Sequence, residues 1–211
     1  NAGKQQNIPA MANDAYYFLS PLAVLALFSF WGGLFWLMIC VLTLAGFVAF
    51  FFRDPERSIP EDPRAIVSPA DGRIIRLDRD GENSILSIFL SVFDVHVNRA
   101  PIAGTIVKQD YRPGNFNVAY NDRASVENEC LVITIGEQKK LTFSLIAGIV
   151  ARRIRVWKKE GEHVNKGDRI GLIRFGSRVD IFLPPDSHLV VRQGDQVYAG
   201  ASIIAYWKND S

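Results

Sequence analysis

Residues 16–52 read YYFLSPLAVLALFSFWGGLFWLMICVLTLAGFVAFFF, thirty-seven positions without one charged side chain. An uncharged stretch of this length is rare in a water-soluble core, and about twenty apolar residues suffice for one helix across a bilayer. Trp31-Gly32-Gly33 divides the run. The expectation is therefore a transmembrane helical hairpin with arms near 17–30 and 34–52. Pro21 and the shortness of the first arm leave room for a tilted, re-entrant or partly inserted segment. No basic region precedes the run and no small-residue cleavage site follows it, so a signal peptide is not expected. Residues 1–15 are read as a tail, in which Asn1 to Ala10 resemble an expression remnant ahead of Met11.

A hairpin returns the chain to the side it entered from. The flank that follows, Arg53-Asp-Pro-Glu-Arg57, carries two arginines, which favours a domain on the cytoplasmic face of the cell membrane. The net charge of +2 decides little, and no nucleic-acid partner is expected. From Ala151 to Arg178, however, nine Lys or Arg face three Asp or Glu. Such a run is either a solvated strand face or a patch that holds anionic headgroups. Cys40 and Cys130 form no motif, so neither a disulfide framework nor a metal site is expected.

From residue 53 to 211 the pattern changes to short Val-, Ile- and Phe-rich runs separated by Gly, Pro, Asn and Asp, the mark of a mostly β domain. Two internal similarities sharpen this reading. SPADGRII (68–75) and APIAGTIV (100–107) share P-x-x-G-x-I at a separation of thirty-two residues, and GEHVNKGDRI (161–170) and GDQVYAGASI (194–203) share G-x-x-V-x-x-G-x-x-I at thirty-three. Each places a glycine where a turn needs positive φ and an apolar residue where a strand enters a core. Paired units of this kind resemble the barrel-sandwich hybrid of biotinyl and lipoyl domains. That likeness raises a non-enzymatic adaptor or carrier as one alternative, although no lysine stands at the tip of either P-x-x-G segment.

The stretch LIRFGSRVDIFLPP (172–185) alternates like a strand through Ile173, Phe175, Val179, Ile181 and Leu183, but Ser177 takes an apolar slot behind Gly176. A β-bulge would account for it. Among three histidines, His163 and His188 fall in polar turns, whereas His96 sits in the strand-like FLSVFDVHVNRAP. Asp71 lies in an Asp-Gly turn that could simply cap backbone amides. A carboxylate, an imidazole and a hydroxyl are nevertheless the parts of an activated serine, so a membrane-anchored serine hydrolase is a second alternative.

Taken in order, FFRDPERSIP, SPADG, FLSVFDVHVNRAP, PGNFNVA and FGSRVD resemble the short form of the phosphatidylserine decarboxylase family, including archaetidylserine decarboxylase. The resemblance covers nearly the whole chain. It implies self-cleavage between Gly176 and Ser177 into a β chain ending at 176 and an α chain of 177–211, which remain together as a heterodimer that could itself pair. Ser177 would become an amino-terminal pyruvoyl group, the covalent cofactor for decarboxylation of a serine phospholipid, diacyl or archaeal diether, at the membrane. By the same resemblance His96 is the base and Asp71 orients it; Arg99 is read as a holder of the substrate's phosphate or carboxylate, and Asn115, Phe116 and Glu129 as further pocket residues. The longer members of the family have a second histidine where this chain has Arg99, and Gly-Ser-Thr where it has Gly-Ser-Arg178.

Overall fold

A computed structural model describes residues 11–12, 14–80, 83–114, 128–148, 154–173 and 177–208. The chain divides into two compact units, Asn1–Glu56 and Arg57–Ser211.

The first unit is a helical hairpin, α1 (Ala15–Trp31) and α2 (Phe35–Phe51), turned at Gly32-Gly33. Both helices are apolar around their whole circumference, and Pro21 lies within α1 without ending it. Each has seventeen residues, about 25 Å at 1.5 Å per residue, against a hydrocarbon core of roughly 30 Å. Neither is long and apolar enough to cross a membrane, so the expectation of a transmembrane pair is not met. The physical reason is the double glycine: its turn consumes the residues that would have lengthened the arms.

The second unit is built of β-strands, without a helix among its described residues. In chain order they are β1 (Ala65–Val67), β2 (Gly72–Asp80), β3 (Asn83–Leu90), β4 (Val97–Arg99), β5 (Gly104–Arg112), β6 (Cys130–Ile135) and β7 (Leu141–Ala147). They continue as β8 (Ile154–Val156), β9 (His163–Val164), β10 (Arg169–Ile173), β11 (Ser177–Leu183), β12 (Ser187–Leu189), β13 (Gln196–Val197) and β14 (Ile203–Trp207). One sheet runs β13-β2-β3-β11-β7-β6-β5-β9, and two smaller ones run β1-β14-β12 and β4-β10-β8. Ile74, Leu86, Ile88, Ile106, Ile133, Phe143, Val179 and Ile181 belong to one buried cluster, the inward positions of alternating strands.

The sequence repeats appear as structural repeats. Where β2 pairs with β13 through Gly72 and Val197, β5 pairs with β9 through Gly104 and Val164, and where β1 pairs with β14, β4 pairs with β10. The loops match too. The amide of Val67 donates to the Pro101 carbonyl (3.0 Å) and that of Arg99 to the Pro69 carbonyl (2.9 Å). Even the register shifts coincide, between Ile74 and Arg76 in β2 and between Ile106 and Lys108 in β5. The shared glycine is obligatory for a local reason: Gly72 and Gly104 have φ of 148° and 149°, and a Cβ at Gly72 would lie 2.2 Å from the Phe89 carbonyl oxygen.

Candidate active site

The order β2-β3-β11-β7 sets four strand ends side by side. Arg73 pairs with Phe89, Phe89 with Arg178, and Arg178 with Ile146; one step on, Ser177 lies between Leu90 and Ala147. Asp71 immediately precedes β2, and His96 follows β3 after a turn. A second tie draws His96 toward the serine. The Ile173 amide, at the end of β10, reaches the His96 carbonyl at 3.4 Å. Four Cα steps of about 3.8 Å bring Ser177 within roughly 15 Å of Ile173. Asp71 and Ser177 therefore lie at one end of one sheet, and His96 follows the turn that leaves β3 beside Ser177.

His96 is fully buried, and its Nδ1 lies 2.9 Å from the Asp94 carbonyl oxygen. A carbonyl only accepts, so Nδ1 carries the proton and the lone pair of the neutral ring is on Nε2. Asp94 is held in turn by the Ser91 amide (2.8 Å) and Gln196 Nε2 (3.3 Å) on its carboxylate.

The Asp71 carboxylate is bonded at both oxygens. Its Oδ2 accepts from Arg57 Nη2 at 2.7 Å and its Oδ1 from the Ala199 amide at 2.8 Å. The acceptor on His96 Nδ1 is thus a carbonyl from the same turn rather than the Asp71 carboxylate. A separation of two residues leaves the Asp94 carbonyl little to order, whereas the Asp71 carboxylate is bonded to a guanidinium. Burial raises the Asp71 pKa above the ordinary carboxylate value; the Ala199 amide and Arg57 oppose that rise, and Asp94 adds to it.

Ser177 is completely buried, and its Oγ has no hydrogen-bond partner among the described residues. Leaving a buried hydroxyl unmet costs about 1–3 kcal/mol, so such groups are uncommon unless they react. This orphaned oxygen fits a residue that is consumed to make a prosthetic group.

A family model described as phosphatidylserine decarboxylase matches residues 44–205, which include Asp71, His96 and Ser177. The chain belongs to the phosphatidylserine decarboxylase family. Among its relatives, a phosphatidylserine decarboxylase proenzyme of Solibacter usitatus is 48% identical over 92% of this chain and 95% of that protein. Proteins of the same name from Desulfotalea psychrophila (47% identical, 77% of this chain, 80% of that protein) and Symbiobacterium thermophilum (43%, 93% and 95%) are also similar.

For a phosphatidylserine decarboxylase relative, the remaining expected residues divide. Glu129 is buried beside the serine: its carbonyl accepts from the amide of Ala147, the β7 partner of Ser177, at 2.9 Å, and its Oε1 faces the Ile154 amide at 3.4 Å. Arg99 is buried in β4, and its Nη1 donates to the Gly167 carbonyl at 3.1 Å, a contact within the fold. Asn115, Phe116 and Gly176 lie outside the described residues.

Sequence reasoning missed three groups: Arg57, which holds Asp71; Asp94, which holds His96; and Asn98, fully buried with its Nδ2 toward the Pro69 carbonyl at 3.4 Å. Asn98 stands two residues after His96, in β4, whereas Asp94 lies in the turn before it and meets His96 through its backbone carbonyl, a contact open to any residue type. Arg57 carried no signal, because its partner is fourteen residues away.

Proposed function

We propose that this chain is a self-processing phosphatidylserine decarboxylase that cuts itself between Gly176 and Ser177 and converts a serine phospholipid into the ethanolamine lipid and carbon dioxide. The observation that carries this reading is the buried, unmet Oγ of Ser177 at a strand end shared with the His96 turn. Family membership supports it, and neither the serine hydrolase nor the adaptor is favoured.

In maturation, Ser177 Oγ adds to the Gly176 carbonyl while His96 Nε2 takes the hydroxyl proton. The C–N bond to Ser177 breaks, its nitrogen takes a proton, and Gly176 is left as an ester on Oγ. Loss of the Cα proton of residue 177 then expels the Gly176 carboxylate, and water replaces the nitrogen, which leaves as ammonia. The resulting pyruvoyl group supplies a carbonyl electron sink for the pair released as carbon dioxide departs. Protonated His96 Nε2 returns a proton to the amine-bearing carbon of the lipid, and the proton on Nδ1, held by the Asp94 carbonyl, keeps the ring oriented for both tasks. Asp71 and Arg57 act as a charged pair beside the site, on the loop that also holds the Ala199 amide.

The halves related by the P-x-x-G repeat support a barrel-sandwich-hybrid-like domain, and β11, bonded on both sides by β3 and β7, supports two cleaved chains that stay assembled as a heterodimer. The helical hairpin supports membrane association by insertion from one face. Trp31 and Trp36, flanking its turn, are 86% and 83% exposed, with Leu34 and Phe35 also exposed. Aromatic residues of this kind favour the interfacial zone of a bilayer. Inside the helices, Ser29 and Thr43 donate to the Leu25 and Ile39 carbonyls (2.8 and 2.9 Å), which satisfies their hydroxyls without water. The Arg53 and Arg57 flank favours the cytoplasmic face.

The test is to incubate purified protein with phosphatidylserine vesicles and follow ethanolamine lipid. Wild-type protein forms it and Ser177→Ala forms none; turnover by Ser177→Ala protein would refute the assignment.

A further inference from the structure

Arg178, the second residue after the proposed cut, does not point into the apolar core. β11 alternates, so Ser177, Val179 and Ile181 face the buried cluster and Arg178 and Asp180 take the opposite side. Both charged residues are buried all the same, at 1% and 3% exposure. Arg178 grips Asp180 with two prongs, Nε to Oδ1 at 2.6 Å and Nη2 to Oδ2 at 3.1 Å, and Nη2 also donates to Ser87 Oγ at 2.9 Å. Ser87 is the β3 residue that pairs with Asp180. One guanidinium therefore ties the first turn of β11 along its own strand and across to its neighbour.

We infer that Arg178 is a positioning residue whose fork to Asp180 and Ser87 holds residue 177 in place after the bond to Gly176 is cut. The inference rests on the cleavage site proposed above. In the uncut chain, residue 177 is anchored from both directions. After the cut it is a chain end, and chain ends open locally at little cost while strand interiors open only with the whole domain. The reacting group must then be kept in line from the strand alone. Arginine suits this task because its planar fork is rigid and bidentate, and a charge-assisted contact is stronger than a neutral one. The fork lies across the strand from Ser177, so it acts on reaction geometry through the backbone and not by touching the reacting atoms.

The experiment compares Arg178→Met, Arg178→Lys and the double variant Arg178→Met with Asp180→Leu. Arg178→Met alone strips Asp180 of its arginine and can fail to fold; the double variant removes both charges, which buried pairs tolerate far better. Cleavage is read by denatured mass, and turnover is measured on fully cleaved protein. All three should cleave as wild type does, and their kcat should fall by about ten- to a hundredfold with KM little changed, the scale of a reacting group held loosely. Hydrogen exchange in the 177–183 peptide should quicken in the cleaved variants but not when Ser177→Ala keeps the same variants whole, whereas a merely structural role would quicken both. Wild-type kcat in the cleaved double variant, equal loosening in cut and uncut protein, or folded variants that do not cleave would each overturn the inference. The mass of the wild-type protein reports separately on the cleavage site: a cut elsewhere or none defeats that reading, whatever the variants do.

Discussion

At Asp71 two demands meet. Burial pushes its carboxyl toward the protonated form, while Arg57 and the Ala199 amide favour the ion. The net shift is upward, so the native state holds this proton more tightly than the unfolded chain, whose Asp titrates near 3.9. The stabilising contribution is therefore complete below the unfolded pKa and is lost as pH rises through the raised folded pKa. Thermal unfolding of Asp71→Asn and its parent, both made uncleavable with Ser177→Ala, should show the parent losing ground as pH rises from about 4, by at most about 1.4 kcal/mol per pH unit. A stability difference that grows in the parent's favour over that range would contradict the account. The pairing of Asp71 with Arg57 was not legible in the sequence, because an Asp-Gly turn looks the same whether its carboxylate meets an imidazole, an amide or a guanidinium. The burial of Ser177 was more open to reading, since it occupies an apolar slot in an alternating run, whereas His96 has the polar Asp94 and Asn98 two residues to either side.

Elements carry the same logic through parity. Within β11, Ile181 is fully buried between Leu86 of β3 and Phe143 of β7, and its neighbour Phe182 is 39% exposed. Chemical denaturation should find Ile181→Ala destabilised by about 2–5 kcal/mol and Phe182→Ala by clearly less, despite the larger side chain removed. Equal losses would mean that the parity of the strand is misassigned. Much of this level was legible. The P-x-x-G-x-I repeat anticipated β2 and β5, and the G-x-x-V-x-x-G-x-x-I repeat anticipated the β9–β10 and β13–β14 pairs, because glycine geometry and apolar spacing are local properties. The pairing of β1 with β14 and of β4 with β10 was not, since nothing in two separated apolar triplets names their partner. The first helical arm was read three residues too short and the second two too long, because an uncharged run marks apolar chain without fixing the last hydrogen-bonded residue at either end.

In the whole molecule an apolar hairpin precedes a β domain proposed to cut itself. Replacing Trp31, Phe35 and Trp36 together with serine should release the protein from phosphatidylserine-containing vesicles in a flotation assay while leaving self-cleavage intact. Retention on vesicles would place the membrane contact elsewhere. The repeat is not exact at this turn: the position matching Asp71 is Ala103, and the position matching Ala199 is Lys166, so the related turn lacks the acid. The most direct test of the central claim is the denatured intact mass of the purified protein. The account predicts two fragments divided between Gly176 and Ser177, the smaller lighter by one ammonia than residues 177–211. A smaller fragment with the full mass of 177–211 would mean simple hydrolysis, and a single uncut mass in catalytically active protein would contradict the self-processing account altogether.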